Sequence, residues 1–196
     1  MTMDEARRSG RRVLLLIAAL FLLPLVGASM LYYGRLWRPA GSSSMGQLID
    51  PARPLEVAGL RHRDGSAAGP ELFGDKWSLI YIGDGACDTE CRTALVFARQ
   101  SRLALNNEMT RVQRIFLATG HCCDDVYLAK EHPGLITLDA SAPEARGLLA
   151  QFPDPHARSL YIVDPLGNLM MRHDGEHTSK DLLSDLKKLL RLSHIG

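Results

Sequence analysis

Two cysteines with three residues between them are the first feature of this sequence that could do chemistry. Cys87 and Cys91 lie in the segment GDGACDTEC, after the apolar run of residues 77–82 and before a segment with helical spacing. They therefore fall at a strand-to-helix junction, where the free N–H groups and partial positive charge of a helix start favour thiolates. The pair could hold a soft metal such as copper(I), cycle between dithiol and disulfide, or form a permanent cross-link. The spacing alone leaves these three roles open.

A histidine late in the chain is a possible third ligand. His156 stands in a loop-like segment shortly before Tyr161. A single loop histidine is usually a solvated side chain, so only the residues around His156 make it a candidate ligand. Three other histidines are weaker candidates, because His173 and His177 are interpreted as solvated loop residues and His132 as part of a turn.

The N-terminus has the composition of a membrane anchor. Residues 13–33 carry no charge and have about the length that crosses a bilayer as a helix. Four arginines lie among residues 7–12, so the positive-inside bias places residues 1–12 in the cytoplasm and the rest of the chain outside. A cleavable signal peptide ending near residues 26–28 is the alternative, and the anchor is favoured because the apolar run continues past that point. Either way, the C-terminal part would lie in an oxidising compartment such as the bacterial periplasm.

Beyond the anchor, composition and periodicity predict a linker and one α/β domain. Residues 34–54 include a stretch rich in Pro, Gly and Ser that is typical of a flexible tether, and residues 55–196 alternate between strand and helix patterns. Strands are predicted at residues 55–60, 77–82, 112–118, 135–138, 159–163 and 168–173, and helices at 89–106, 124–131, 143–152 and 178–192. These segments predict a sandwich in which a mixed sheet is flanked by helices. The net charge of +1 gives no sign of a nucleic-acid partner.

Taken together, these features resemble the Sco/SenC/PrrC family of cytochrome c oxidase assembly proteins. Members of that family carry a membrane anchor, a thioredoxin-like domain, a CxxxC loop after a strand, and a distant histidine before an aromatic position in a strand that ends Asp-Pro-x-Gly. The matching residues here are Cys87, Cys91, His156, Tyr161 and the turn at residues 164–167. The resemblance covers roughly residues 55–192 and implies a thioredoxin-like fold. It also implies copper, as copper(I) or copper(II), bound by two thiolates and one imidazole.

The cysteine loop departs from the family pattern at two positions. Family loops usually have Pro after each cysteine, where this chain has Asp88 and Arg92. A carboxylate beside the pair would raise a thiol pKa and a guanidinium would lower it, so the site is expected to differ in metal affinity or redox potential. The resemblance to the family therefore does not by itself decide between copper delivery and thiol exchange at this site.

A second departure is the segment ATGHCCDD, which follows residues 112–118. In a thioredoxin-like sheet the end of this strand lies near the Cys87 loop, so His121, Cys122 and Cys123 are possible auxiliary copper ligands. The two cysteines could instead be resolving thiols for disulfide exchange. They could also bond to each other, which is ranked last of these roles because a vicinal disulfide is strained, or they could have no role.

The resemblance implies that the protein handles copper at the outer face of a bacterial inner membrane. It would deliver copper to the binuclear copper site of oxidase subunit II, with subunit II or another copper chaperone as its partner. The alternative is a thiol-disulfide oxidoreductase that keeps the oxidase cysteines reduced, with Cys87 and Cys91 as the redox pair. A metallochaperone is preferred to an enzyme, and a peroxidase of the peroxiredoxin type is the weakest hypothesis because its TxxC context is missing. The recipient protein and the oligomeric state are left open.

Overall fold

The computed structural model describes residues 3–33, 44–155, 158–176 and 178–193. It contains two compact units, of which the first, Met1–Ser43, holds helix α1 (Met3–Tyr33). The segment Arg11–Met30 of this helix is long and apolar enough to cross a membrane, and its large apolar side chains are exposed. Pro24 lies inside the helix without ending it, as membrane helices tolerate. The prediction of one long apolar helix near the N-terminus is therefore confirmed.

The second unit, Ser44–Gly196, is built on a seven-stranded sheet. Its strands are β1 (Gln47–Pro54), β2 (Arg61–His62), β3 (Trp77–Gly83), β4 (Val112–Ala118), β5 (Leu135–Asp139), β6 (Leu160–Val163) and β7 (Asn168–His173). Its α-helices are α2 (Thr89–Leu103), α3 (Asp125–Glu131), α4 (Arg146–Leu149) and α5 (Ser179–Leu192), and 3₁₀ turns lie at Pro70–Phe73, Asn106–Arg111 and Pro143–Ala145. The strand order is β1-β7-β6-β3-β4-β5-β2, with β3, β4 and β5 parallel and the other pairings antiparallel. This mixed sheet with flanking helices confirms the predicted fold class.

Strands β3 and β4 form the centre of the domain because their residues are apolar on both faces. Leu79 and Phe116 pack in the core beneath α2 and α5, whereas Ile80 and Ile115 pack in the core on the opposite face. None of these four side chains is more than 1% exposed. Parallel strands buried on both faces read as continuous apolar runs, which is why the sequence predicts them well. Since the two strands run parallel and in register, their carboxyl ends lie side by side.

Helix α5 covers the same face of the sheet as α2. Thr178 and Asp181 form a capping box at its first turn, which satisfies backbone N–H groups that have no partner inside the helix. Leu182 and Leu186, on the apolar stripe that the sequence predicts, are buried in the core shared with α2. The cap fixes where the helix begins and the stripe fixes which face it buries.

A buried carboxylate on α5 holds the first residues of the domain. The Asp185 carboxylate accepts hydrogen bonds from the N–H groups of Met45 and Gly46, at 2.8 and 2.9 Å. The same carboxylate lies 3.3 Å from Nε2 of His173, and His173 is only 2% exposed. The prediction that His173 is solvated is therefore wrong, because a distant helix supplies a buried partner that the local sequence does not show. His177 lies outside the described residues.

His132 ends α3 and is buried beneath it. Its Nε2 atom lies 3.0 Å from the hydroxyl of Tyr127, and the two rings meet edge to face with their centroids 5.3 Å apart. Burial lowers the pKa of His132 to about 4, and the positive charges of Arg114 and Arg99 act in the same direction. The ring is therefore neutral at physiological pH, and it serves as part of the core under α3 as well as of the turn that the sequence predicts.

Two segments differ from the sequence predictions. Strand β1 occupies residues that composition assigns to the linker, and it tolerates Pro51 and Pro54 because it is an edge strand of the sheet. The strand predicted at residues 55–60 does not form, and Gly59 within it has a φ of 70°, which extended strands do not adopt. The helix predicted at residues 143–152 is a 3₁₀ turn followed by the short helix α4.

Candidate functional site

The loop after β3 turns sharply and presents Cys87. The side chain of Asp84 accepts a hydrogen bond from the N–H of Ala86 at 2.8 Å, and the carbonyl of Asp84 accepts one from the N–H of Cys87 at 3.1 Å. The bond from Ala86, assisted by His121, holds the pKa of Asp84 below its usual range. Cys87 has a φ of 50°, a left-handed conformation that is uncommon for residues with a side chain and that concentrates at functional sites.

Helix α2 begins where the sequence predicts. Asp88 is its N-cap, and the Oδ1 atom of Asp88 accepts a hydrogen bond from the N–H of Cys91 at 2.9 Å. Cys91 therefore lies in the first turn and Cys87 in the loop just before it. Their Cα atoms are 5.0 Å apart and their sulfurs form a disulfide. Each cysteine is only 1% exposed, so this pair lies beneath the protein surface.

Arg92 connects the Cys87 loop to the loop after β4. Its Nε atom donates to the carbonyl of Cys87 at 3.1 Å, and a terminal nitrogen lies 3.4 Å from the carboxylate of Asp124. The guanidinium also stacks over the ring of Tyr127, 4.4 Å from its centroid. Arg92 and Asp88 thus occupy the positions where family loops carry Pro, and both have structural contacts: Asp88 starts a helix and Arg92 joins two loops.

The loop after β4 lies against the Cys87 loop. The N–H of Thr119 donates to the carbonyl of Gly83 at 2.9 Å, and the N–H of Asp124 donates to the carbonyl of Gly85 at 3.0 Å. Gly85 fits here because it has no side chain: a Cβ atom would stand only 2.7 Å from the Cα atom of Cys122. The backbone of the second loop therefore touches the first loop two residues before Cys87.

Cys122 and Cys123 form a disulfide with each other, which is the last-ranked of the roles predicted for them from the sequence. Cys122 is exposed, whereas Cys123 is half-buried and packs against the core cluster that contains Cys87 and Cys91. Both cysteines of the second pair line a cavity of about 270 Å³. The sequence does not reveal this pairing, because a bond between neighbouring cysteines depends on the conformation of their loop. His121 is exposed, with its Nδ1 atom 3.6 Å from the carboxylate of Asp84.

A second cavity, of about 440 Å³, opens beside Cys87. Its wall includes Tyr81, Asp84, Asp88 and, from much later in the chain, Pro155. Burial raises the pKa of Tyr81 to about 12, and nearby carboxylates add to the effect, so its hydroxyl stays protonated at physiological pH. The cavity therefore brings together the first cysteine of the CxxxC loop and the residue that precedes His156.

The chain just before His156 is held by two side chains from the sheet. The hydroxyl of Tyr161 donates to the carbonyl of Pro153 at 2.8 Å, and Arg172 forms an ion pair with Asp154 at 3.1 Å. Tyr161 is fully buried, which explains in physical terms why an aromatic residue with a hydroxyl stands at this position. His156 itself lies outside the described residues.

The chain just after His156 is held at the start of α2. The Nε atom of Arg158 lies 2.7 Å from the carboxylate of Glu90, and Glu90 stands between the two cysteines in the first turn of the helix. Sequence reasoning missed this ion pair, as it missed the one between Arg172 and Asp154. No local pattern signals either contact, because each joins residues that are far apart in the sequence.

The disulfide form of the site offers no thiolate to a metal. Among the side chains that the structure describes, no three His, Cys, Asp or Glu residues converge as a metal site. The predicted ligand set of Cys87, Cys91 and His156 includes one residue outside this part of the chain, so it stays a prediction. Reduction of the disulfide would release two thiol groups at the mouth of α2, and thiolates are the donors that copper(I) prefers.

The fold and the position of its two cysteine pairs define a thioredoxin-like domain. The model of the family described as the transmembrane-like, thioredoxin-like, C-terminal domain matches residues 77–193. The chain belongs to this family. No curated protein matches the sequence.

Solved structures of Sco proteins share this fold. The chain is similar to apo Sco1 from Thermus thermophilus, with 21% identity and a TM-score of 0.63 over 76% of this chain and 99% of that one. It is similar to yeast Sco1 with copper bound, with 18% identity and a TM-score of 0.59 over 77% of this chain and 95% of that one. It is also similar to BsSco, described as a member of the Sco family of cytochrome c oxidase assembly proteins with a disulfide switch, with 17% identity and a TM-score of 0.52 over 74% and 99% of the two chains. These likenesses confirm the thioredoxin-like fold that the Sco resemblance implies.

Proposed function

We propose that this chain is a membrane-anchored, copper-binding protein that acts in cytochrome c oxidase assembly by delivering copper to the binuclear copper site of subunit II. Two proteins of the same fold support the proposal, since yeast Sco1 is known with copper bound and BsSco belongs to a family of oxidase assembly proteins. The apolar helix and the arginines before it support a domain on the periplasmic side of a bacterial inner membrane, with the N-terminus in the cytoplasm. Subunit II, or another copper chaperone, is the proposed partner.

The proposed copper ligands are Cys87, Cys91 and His156. The observation that carries this proposal is the cavity beside Cys87, whose wall also includes Pro155, the residue directly before His156. The ion pair between Arg158 and Glu90 supports the same assignment, because it brings the chain after His156 to the first turn of α2. Two thiolates favour copper(I), and an imidazole also accepts copper(II), so this donor set suits a copper ion that arrives as cargo and leaves again.

Reduction must come before copper binding. The bond between Cys87 and Cys91 takes up two electrons when it opens, and the resulting thiols bind metal only as thiolates. The start of α2 favours that ionisation through its free N–H groups and partial positive charge. His121, Cys122 and Cys123 are proposed as auxiliary ligands only for the fully reduced protein, because two of them are bonded to each other here.

The copper(I) affinity of the full-length protein tests this function. The protein is purified in detergent, reduced completely under anaerobic conditions, and equilibrated with copper(I) against a competing chelator. We expect the Cys87→Ser and His156→Ala variants to lose about tenfold or more in affinity, since each removes one of three ligands. The matched control is His194→Ala, which removes an imidazole that is not among the proposed ligands.

An unchanged copper(I) affinity in His156→Ala would contradict the proposed ligand set. If Cys87→Ser also bound copper as tightly as the wild type, copper would be bound elsewhere and the proposed function would be wrong. Delivery is tested separately by adding the copper-loaded protein to the metal-free soluble domain of subunit II and following the appearance of its binuclear copper spectrum.

A thiol-disulfide oxidoreductase that keeps the oxidase cysteines reduced is the second candidate function. The disulfide between Cys87 and Cys91, next to an open cavity, favours it. Equilibration of the protein with glutathione redox buffers measures the potential of this pair. A pair that stays oxidised in strongly reducing buffer is a structural cross-link, and this candidate is then wrong.

A further inference from the structure

We propose that Cys122 and Cys123 form an internal redox relay, which accepts two electrons from an external dithiol and passes them to the buried pair, Cys87 and Cys91. The relay rests on the proposed function in one respect: the buried pair must be reduced before it can bind copper. Beyond the copper site, it assigns the protein a second redox site and a class of substrate for that site, an external dithiol.

The first argument is the difference in exposure. Cys87 and Cys91 are each 1% exposed, and although Cys87 lies in the wall of the 440 Å³ cavity, almost none of its surface is open to a thiolate on another molecule. Cys122 is exposed and lies with Cys123 in the wall of a cavity of about 270 Å³. An external donor therefore reaches the second pair more easily than the first.

The second argument is that the two pairs lie in loops that touch. The carbonyl of Gly85 accepts the N–H of Asp124 at 3.0 Å, and a side chain at Gly85 would collide with the backbone of Cys122. Cys123, on the inner side of this contact, packs against the core cluster that contains both buried cysteines. The second pair thus has one exposed residue and one half-buried residue, and the half-buried one packs against the cluster to which the buried disulfide belongs.

The third argument is that the contact between the loops is reinforced by a side chain. Arg92 donates to the carbonyl of Cys87 and lies 3.4 Å from Asp124, the residue after Cys123. The guanidinium thus contacts the backbone at Cys87 and the residue after Cys123, and it links the loops that carry the two pairs.

The proposed exchange conserves atoms and electrons. One donor thiolate attacks the sulfur of Cys122 and releases the thiolate of Cys123, and the second donor thiol then displaces Cys122, so the donor leaves as a disulfide. The thiolate of Cys123 next attacks the sulfur of Cys87 and releases the thiolate of Cys91. Finally Cys122 attacks Cys123, which restores their bond and releases Cys87. The donor has lost two electrons, the buried pair has gained them, and the two donor protons pass to the freed thiolates or to solvent.

Reduction kinetics of the full-length protein in detergent test the relay. Oxidised protein is mixed anaerobically with dithiothreitol, quenched at intervals with an alkylating agent, and analysed by mass spectrometry for each cysteine pair. In the wild type we expect the bond between Cys122 and Cys123 to open first. In the Cys122→Ser/Cys123→Ser variant we expect reduction of the buried pair to slow by about tenfold or more, because the donor must attack it directly.

Equal rates for the buried pair in the wild type and in the double variant overturn the relay. Thermal unfolding of both oxidised proteins is measured alongside, to compare the folding of the double variant with that of the wild type. A single variant provides a further test that does not depend on rates. In Cys122→Ser, Cys123 can attack the buried disulfide and release the thiolate of Cys91, but Cys122 is no longer there to resolve the product, so alkylation of the freed Cys91 should trap a cross-link between Cys123 and Cys87. The matched variant Cys123→Ser retains the outward cysteine and should give much less of any such cross-link; no cross-link in Cys122→Ser, or the same yield in both variants, contradicts the relay.

Copper binding distinguishes failure of the relay from failure of the proposed function. The wild-type protein is reduced completely by excess reductant, which bypasses the relay, and its copper(I) stoichiometry is then measured. Copper binding without any kinetic effect of the double variant contradicts the relay alone. Relay kinetics without copper binding contradict the proposed copper function alone.

Discussion

The two loops that carry the cysteine pairs follow neighbouring parallel strands but have opposite surroundings. The loop after β3 leads into the long helix α2, and its disulfide is buried in the core cluster that this helix shares. The loop after β4 leads into the short helix α3, and its disulfide reaches solvent at Cys122. The same edge of one sheet therefore holds a protected pair and an accessible pair. Burial, and not cysteine spacing, is what distinguishes the two pairs.

The contact between the two loops is most easily broken at Gly85. We expect Gly85→Ala to lower the free energy of unfolding by about 2–4 kcal/mol, because its Cβ atom would collide with the backbone of Cys122. Urea denaturation of the protein in mild detergent measures the change. The matched control is Gly147→Ala in α4, where a Cβ atom meets nothing within 4 Å. Equal effects of the two substitutions would show that the loops do not depend on this contact.

Acidification should loosen the accessible loop before the protected one. The pKa of His132 is about 4 in the folded protein and near 6.5 in an unfolded chain, so between these values the unfolded chain binds more protons. Stability contributed by the neutral, buried ring is present above pH 6.5 and is lost as the pH falls toward 4, by at most about 3 kcal/mol. Hydrogen exchange, corrected for its intrinsic pH dependence, should show α3 opening more than α2 at pH 5. A uniform increase across both helices contradicts this prediction.

The start of α2 should respond to loss of its cap. We expect Asp88→Ala to destabilise the protein by about 1 kcal/mol, because the N–H of Cys91 loses its hydrogen-bond acceptor. Asp88→Asn keeps a capping oxygen and should retain most of the stability. If Asn destabilises as much as Ala does, the charge of Asp88 and not its hydrogen bond supports the protected loop.

The smallest effect is expected at Arg92. Its side chain is half exposed, so Arg92→Ala should cost only about 0.5 kcal/mol of folding free energy. Arg92→Lys keeps the charge but not the planar guanidinium that contacts Cys87, Asp124 and Tyr127 together, and it should recover part of the loss. A loss much larger than that for Asp88→Ala would make Arg92, and not the cap, the main support of the loop.

The sequence predicts the features that depend on local pattern. The apolar runs of β3 and β4, the apolar stripe of α5 and the start of α2 all follow from residue type and spacing, and together they place Cys87 and Cys91 correctly at a strand-to-helix junction. Strand β1 is not predicted because Pro and Ser are common in and around it, and because the strand that it pairs with, β7, is far away in the sequence. Its existence depends on the sheet edge beside it.

The parts of the site that the sequence does not predict are formed by distant partners. His173 is buried because α5 brings Asp185 to it, and the chain around His156 is held by Tyr161, Arg172 and Glu90. The bond between Cys122 and Cys123 depends on a loop conformation that residue type does not specify. The sequence pattern therefore indicates which residues have reactive side chains, whereas the fold determines which of these side chains are buried.

The hydrogen bonds from Met45 and Gly46 to Asp185 have a practical consequence for anyone who removes the anchor. A shortened chain that starts after Gly46 would leave the buried carboxylate of Asp185 with two hydrogen-bond donors fewer, a loss that commonly costs about 1–3 kcal/mol. Cleavage or truncation at or before Ser44 spares these bonds. The final helix thus sets how far beyond the apolar N-terminal helix the chain can be cut without losing these bonds.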